Sequence, residues 1–233
     1  MLLAPLVPAG GRLALLDLDT PLPASFNTNW LSADEAARAD RFVTASLQAR
    51  YRHAHLFMRA QLAACTGQTP AQLQFDHNAW GKPSLQPGND GGQIVQFSLS
   101  HSQHLALLAI RPGRPIGADI ELIKPFDIQE MRSMARNIMT AAEQRTLTDL
   151  VEAGADDTAI TTAFLTAWTR KEACVKALGL GLSYPVDQLD TGLQANDTRL
   201  VMRALAAGQH DTGISLQTRL LGGTAVVSVA CVL

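Results

Sequence analysis

Lysine is scarce in this chain, with only four (Lys82, Lys124, Lys171 and Lys176) among nineteen basic residues. The formal net charge is −2, without the basic excess of a dedicated nucleic-acid binder. No apolar run reaches the eighteen or so residues of a membrane span. The first ten residues are apolar but have no basic n-region, so they do not read as a signal peptide. Cysteine is limited to Cys65, Cys174 and Cys231, an odd number with no CxxC spacing. That argues against a disulfide framework or a zinc site and fits a reducing cytoplasm better. No GxSxG elbow, P-loop or kinase signature is present. Hydrophobic residues make up 47% of the 233 positions, which implies a globular chain with a real core.

The local pattern is mixed. Arg12 to Asp19 reads as a buried strand, ended by Pro21-Leu22-Pro23. Ser32-Ala33-Asp34-Glu35 is a capping box that opens a helix to about Arg38. A longer helix runs from about Thr44 to Cys65 and stops near Gly67. Residues 72–77 alternate like a strand, Gly81-Lys82-Pro83 is a turn, and a loop follows from Gln86 to Gly92. Strands are expected at Ile94 to Leu99 and Leu105 to Ile110. Arg111-Pro112-Gly113-Arg114-Pro115 is the best linker and divides the chain into residues 1–112 and 113–233. The second half opens with a strand from Ile116 to Glu121, then a helix from Asp127 to Asn137. Thr140 and Glu143 form another capping box, and a long helix spans about Thr158 to Leu178. Strand-like runs near 198–205, 213–221 and 224–232 end the chain. The fold class is α+β.

Three segments carry chemistry. Asp119 and Glu121 lie two apart on a strand, so both point to one face. Two carboxylates that close repel unless a cation or proton lies between them, and hard oxygen ligands at this spacing suit Mg²⁺. A solvated strand face is the plain alternative. Trp168, Glu172 and Lys176 form one stripe of a helix. Glu172 and Lys176 alone are also an ordinary i,i+4 ion pair, and Trp168 is either core or the wall of a cleft. Ser100 and His101 directly follow a buried strand, where they suit phosphate or ribose contacts or a structural role. Lys82 sits in a rigid turn. Arg50 and Arg52 are candidate phosphate contacts, since Arg bonds bidentately, or a solvated helix face.

The conjunction is more specific than its parts. Gly81-Lys82-Pro83, then Phe97-Ser98-Leu99-Ser100-His101-Ser102, then Gly117-Ala118-Asp119-Ile120-Glu121, then Trp168-Thr169-Arg170-Lys171-Glu172-Ala173 through Lys176 to Gly179 occur in that order. The series, with the trailing Gly179-Leu180-Gly181-Leu182, resembles the Sfp-type 4'-phosphopantetheinyl transferases over roughly residues 40 to 185. Ser98 replaces the usual Asn, Ala118 the usual Ile or Val, and Gln103 a common Gly. No charged group is lost.

The resemblance implies two similar α+β halves about a pseudo-twofold axis, with coenzyme A in the cleft between them. It implies that Asp119, Glu121 and Glu172 hold Mg²⁺ with the pyrophosphate, and that Lys176 contacts the phosphates. Lys82, Ser100 and His101 would contact coenzyme A toward its nucleotide end, with Arg50 as a further phosphate contact and Glu143 near the site. The implied reaction moves phosphopantetheine to a serine of an apo acyl, peptidyl or aryl carrier protein, with Glu172 as the candidate base. The carrier would dock near Arg132 and Arg136, by charge alone. A monomer is expected, with no nucleic-acid or membrane partner. Two alternatives stand beside this: a non-catalytic module binding coenzyme A or a carrier, and a different Mg²⁺-dependent phosphoryl transferase.

Overall fold

A computed structural model describes residues 6–7, 10–88, 94–181, 184–196, 198–203 and 212–233. The first half contains β1 (Arg12–Asp17), α1 (Ala33–Asp40), α2 (Ala45–Thr66), β2 (Phe75–His77), β3 (Pro83–Leu85), β4 (Val95–Ser102) and β5 (Leu105–Pro112). The second contains β6 (Ile116–Leu122), α3 (Ile128–Ile138), α4 (Ala141–Glu152), α5 (Asp157–Leu178), β7 (Thr198–Arg203), β8 (Thr212–Leu221) and β9 (Ala225–Val232). Among the described residues the sheets are antiparallel, ordered β1-β5-β4, β2-β3 and β6-β9-β8-β7. The α+β class holds, and each half sets a long helix against an antiparallel sheet.

The two long helices share a design. Both run 22 residues. Thr44 caps α2 through the Leu47 N–H, and Asp156 caps α5 through the Ala159 N–H. Gly67 and Gly179 close them in the left-handed region at φ 71°, which glycine adopts without a steric cost. Both expected capping boxes are present, Ser32 with Glu35 and Thr140 with Glu143. The short strand β3 was not expected, because three residues beginning at a proline carry little periodic signal. Residues 89–92 of the expected loop and 204–205 of an expected strand lie outside the described residues.

Alternation along the strands builds the layers. In β5, Leu108 and Ile110 face α2 with Phe57, Met58, Leu62 and Phe97. Leu107 and Ala109 face the other way, onto Ile116, Ala118, Ile120, Val227 and Val229 of the second sheet. Ala173, Cys174 and Ala177 of α5 then pack on Ile214, Leu216 and Ala230. Each fully buried Leu, Ile or Phe contributes roughly 1.5–3 kcal/mol. Helix, sheet, sheet and helix therefore stack, and the edge strands β4 and β6 run side by side at the junction. The segment expected as a linker is a tight turn, with Gly113 at φ 75° and its N–H on the Ile94 carbonyl.

Serines sew β4 to β6. Ser98, Ser100 and Ser102 alternate along β4 and share one face. Ser98 Oγ accepts the Ala118 N–H at 3.0 Å, and Ser102 Oγ accepts the Leu122 N–H at 3.2 Å. Ser100 Oγ donates to Asp119 Oδ1, and Ser102 Oγ to Glu121 Oε2, both at 2.6 Å. Hydroxyls thus satisfy β6 edge groups that no strand partner reaches.

Candidate active site

The seam of serines places Asp119 and Glu121 beside α5. Lys176 Nζ lies 2.5 Å from Asp119 Oδ1 and donates to Ser100 Oγ at 3.1 Å. Asp119, 5% exposed in its side chain, is clasped from two elements at one oxygen. Its other oxygen, Oδ2, is buried with no hydrogen-bond partner. Leaving a buried carboxylate oxygen unsatisfied is costly, and such atoms call for an explanation.

Neighbouring charges tell the same story. Burial pushes the Glu172 carboxyl above its usual range, with Lys176 opposing and Asp119 and Glu121 reinforcing the rise. Burial likewise raises Glu121, against the Ser102 hydrogen bond and with Asp119 adding to it. Three carboxylates feel one another here, and Lys176 with the more distant Lys124 does not neutralise them. Among the described residues no group of three or more His, Cys, Asp or Glu side chains is placed so that by itself it could hold a metal ion. Mg²⁺ usually takes one or two carboxylates and fills its octahedron with water and substrate phosphates, so a closed cage is not required. The orphaned oxygen and the excess of negative charge fit a divalent cation.

A pocket of about 740 Å³ opens beside this cluster. Glu172, Val175, Lys176 and Gly179 line one side, and Trp80, Gly81, Lys82 and His101 line another. Lys82 donates to the Ala177 carbonyl at 3.2 Å, and burial pulls its ammonium down to about 8. Desolvation and the Lys176 charge hold His101 below the usual imidazole range.

The structure brings together Lys82, Ser100, His101, Asp119, Glu121, Glu172 and Lys176, but not Arg50. The Arg50 guanidinium is held by Asp19 in a two-point ion pair of 2.7 and 2.6 Å, and it does not line the pocket. Glu143 is also elsewhere. It accepts from Lys171 at 2.8 Å and from Thr140, Thr191 and Gly192, which makes it a buried strut between α4, α5 and the following loop. Arg52 pairs with Asp40. Trp168 is half-buried and does not line the pocket.

The α2 face that lines the pocket presents Tyr51, His55, Met58 and Arg59. Glu35 accepts from His55 at 3.0 Å and from Arg59 at 2.8 Å. Burial opposes its ionisation, yet the bonds from His55, Arg59 and Ser32 outweigh it and pull the carboxyl down to about 2. Arg38, exposed on α1, lines the same mouth. Neither Glu35 nor Arg38 announced itself, because both sit in a stretch whose sequence signal is a helix cap.

Comparison with known proteins decides the family. Residues 115–229 match the family model described as the 4'-phosphopantetheinyl transferase superfamily. Residues 20–113 match a second, described as 4'-phosphopantetheinyl transferase, N-terminal. The chain belongs to the Sfp-type 4'-phosphopantetheinyl transferase superfamily. Among the transferases it resembles, 4'-phosphopantetheinyl transferase HetI of Nostoc sp. is 35% identical over 157 residues, 66% of this chain and 61% of that one. The alignment thus spans about three fifths of the HetI length. 4'-phosphopantetheinyl transferase Sfp of Bacillus subtilis is 25% identical over 179 residues, 76% of this chain and 74% of its own. The transferase AcpT of Salmonella typhimurium is 33% identical over 113 residues, 48% of this chain and 53% of its own. Among the described residues no helix is long and apolar enough to cross a membrane.

Proposed function

We propose that this chain transfers the 4'-phosphopantetheine arm of coenzyme A to a serine hydroxyl of an apo carrier protein and releases 3',5'-ADP. The observation that carries the reading is Asp119, clasped by Lys176 and Ser100 through one oxygen, with the other left bare beside Glu121 and Glu172.

The serine Oγ attacks the β-phosphorus of coenzyme A, and the bond from that phosphorus to the bridging oxygen breaks. Asp119, Glu121 and Glu172 would hold Mg²⁺, which when bound neutralises the pyrophosphate and the charge growing on the leaving group. Lys176 meets the transferred phosphate from the α5 side, where a fixed cation stabilises developing charge. Glu172 takes the serine proton. That step uses a Glu172 oxygen not bound to the metal. Ser100, His101 and Lys82 hold the nucleotide end.

Arg38 takes the terminal phosphate in place of Arg50, because Arg50 is already committed to Asp19 while Arg38 faces the pocket. The carrier, an acyl, peptidyl or aryl type, docks on the groove of about 250 Å³ between α3 and α4. There Arg132 and Arg136 flank Met131 and Leu147, which matches an acidic partner with an apolar contact. We place the unit boundary at 112/113 and the working form as a monomer. Its three free thiols suit a reducing cytoplasm.

The test is the intact mass of apo carrier domains incubated with the protein, coenzyme A and Mg²⁺, with an EDTA control. Gain of one phosphopantetheine group, lost with EDTA, supports the reading. Binding of coenzyme A with no gain on any carrier class would establish a non-catalytic module instead.

A further inference from the structure

A second tie joins the two halves, separate from the serine seam. It is made by the turn from Asn78 to Lys82. Gly81 N–H donates to the Asn78 carbonyl at 2.9 Å, and Asn78 N–H donates to the Lys82 carbonyl at 3.1 Å. The Asn78 side chain completes the turn from within. Its Oδ1 accepts the N–H groups of Trp80 at 3.0 Å and of Lys82 at 2.9 Å. Asparagine favours such turns because its amide reaches its own backbone two residues on.

The other end of the same amide leaves the turn. Asn78 Nδ2 donates to the Gly179 carbonyl at 2.8 Å, and Lys82 Nζ donates to the Ala177 carbonyl. Both acceptors belong to the C-terminal end of α5, where carbonyls have no partner within the helix. Trp80 lies on Gly181 so closely that a Cβ there would stand 3.1 Å from the Trp80 Cβ. Alternate residues 78, 80 and 82 of the turn therefore engage residues 179, 181 and 177. The turn carries Lys82, the helix carries Glu172 and Lys176, and the pocket lies between them.

We infer that Asn78 is a positioning residue for the transfer reaction: its amide fixes the separation between Lys82 and Lys176, and so the grip on coenzyme A. The inference rests on the transfer reading above. An amide of this length serves both jobs best, because Asp keeps the acceptor but loses the donor, and Gln reaches one methylene further.

Asn78→Asp separates the jobs. Its carboxylate still accepts from Trp80 and Lys82 but cannot donate to Gly179. The expected result is a rise in KM for coenzyme A of about tenfold, the scale of one lost hydrogen bond, with kcat within about twofold of wild type. Amide hydrogen exchange over residues 177–181 speeds up in the same variant. Asn78→Gln, which keeps donor and acceptor, gives a KM between the two and serves alone if Asn78→Asp does not fold. An unchanged KM in the variant that folds, or a loss confined to kcat, overturns the role. If the wild-type chain neither binds coenzyme A nor modifies a carrier, the transfer reading falls and this role with it. The exchange comparison then still shows whether the tie exists.

Discussion

Gly117 lies so close to Ala173 that a Cβ built on it would stand 2.0 Å from the Ala173 carbonyl oxygen and 2.3 Å from the Ala177 N. Strand β6 thus touches the backbone of α5, and nothing larger than hydrogen fits between them. This contact sets Asp119 and Glu121 against Glu172 and Lys176, since each pair sits within a few residues of it. Gly117→Ala has no flexible neighbour to displace. It is expected to cost about 3 kcal/mol, the upper end of overpacking penalties, and to abolish transfer by shifting α5. Urea unfolding measures the first effect and carrier mass the second. Wild-type stability in this variant would contradict the close approach.

Glu172→Gln tests the charge balance. A carboxyl whose affinity for protons is raised by folding makes the folded state lose stability as pH rises from its unfolded value, near 4.5, through the raised one. At pH 7, above the unfolded value, the group is a net cost. The neutral variant is therefore expected to melt higher, by on the order of 2 °C, while losing turnover. Nucleotide binding persists in part. A lower melting point would show that Glu172 is stabilising rather than strained.

Glu143→Gln goes the other way. Burial raises the Glu143 carboxyl, but Lys171 and the bonds from Thr191 and Thr140 outweigh it and hold the group below its usual range. Its contribution to stability is complete above the unfolded value and is lost as pH falls through the depressed one. Removing the charge leaves Lys171 buried, bonded to the carbonyls of Val186 and Leu189 with only the more distant Asp190 as a counter-charge. A loss of roughly 3–5 kcal/mol is expected, as for a broken buried pair. Chemical denaturation at pH 7 checks it.

Lys82 is expected to make nucleotide binding pH-dependent. Burial lowers its ammonium to about 8, so in the free protein its charge disappears as pH rises through that value. Affinity for 3',5'-ADP should fall across the same interval, because a neutral amine holds a phosphate poorly. Lys82→Met should bind more weakly at pH 7 and lose that step. Calorimetric titration from pH 6.5 to 9 decides, and a step of equal size in the variant would assign it to another group.

Arg38 and Arg50 can be separated with 3'-dephospho-coenzyme A. Arg38→Ala is expected to weaken coenzyme A by about tenfold, the loss of a charge-assisted bond, and to leave the dephospho form unaffected. Arg50→Ala should leave both affinities near wild type. The reverse pattern would return the terminal phosphate to Arg50.

The legible and illegible parts of this chain differ in how far their causes reach along the sequence. Both long helices and both capping boxes were visible because their signals lie within a few residues. The spacing from Asp119 to Glu121 and from Glu172 to Lys176 fixed each pair on a common face. The ion pair that holds Arg50 was not visible, because its partner Asp19 lies 31 positions earlier. Glu143 carried a true helix-start signal, but its further partners, Lys171 and Thr191, come together only in three dimensions. The alternation of Ser98, Ser100 and Ser102 could be read as a strand face. That the face meets β6 depends on how two sheets abut, which no local pattern records.

Strand β9, between β6 and β8, is the last element of the chain described here, yet Asp119 pairs with Ser228 and Glu121 with Val226 across it. During synthesis the ribosome releases both carboxylates long before the strand that aligns them. The helix bearing Glu172 and Lys176 also appears before its sheet is complete. A chain cut before Ala225 therefore keeps every proposed ligand but loses the strand that pairs with both Asp119 and Glu121.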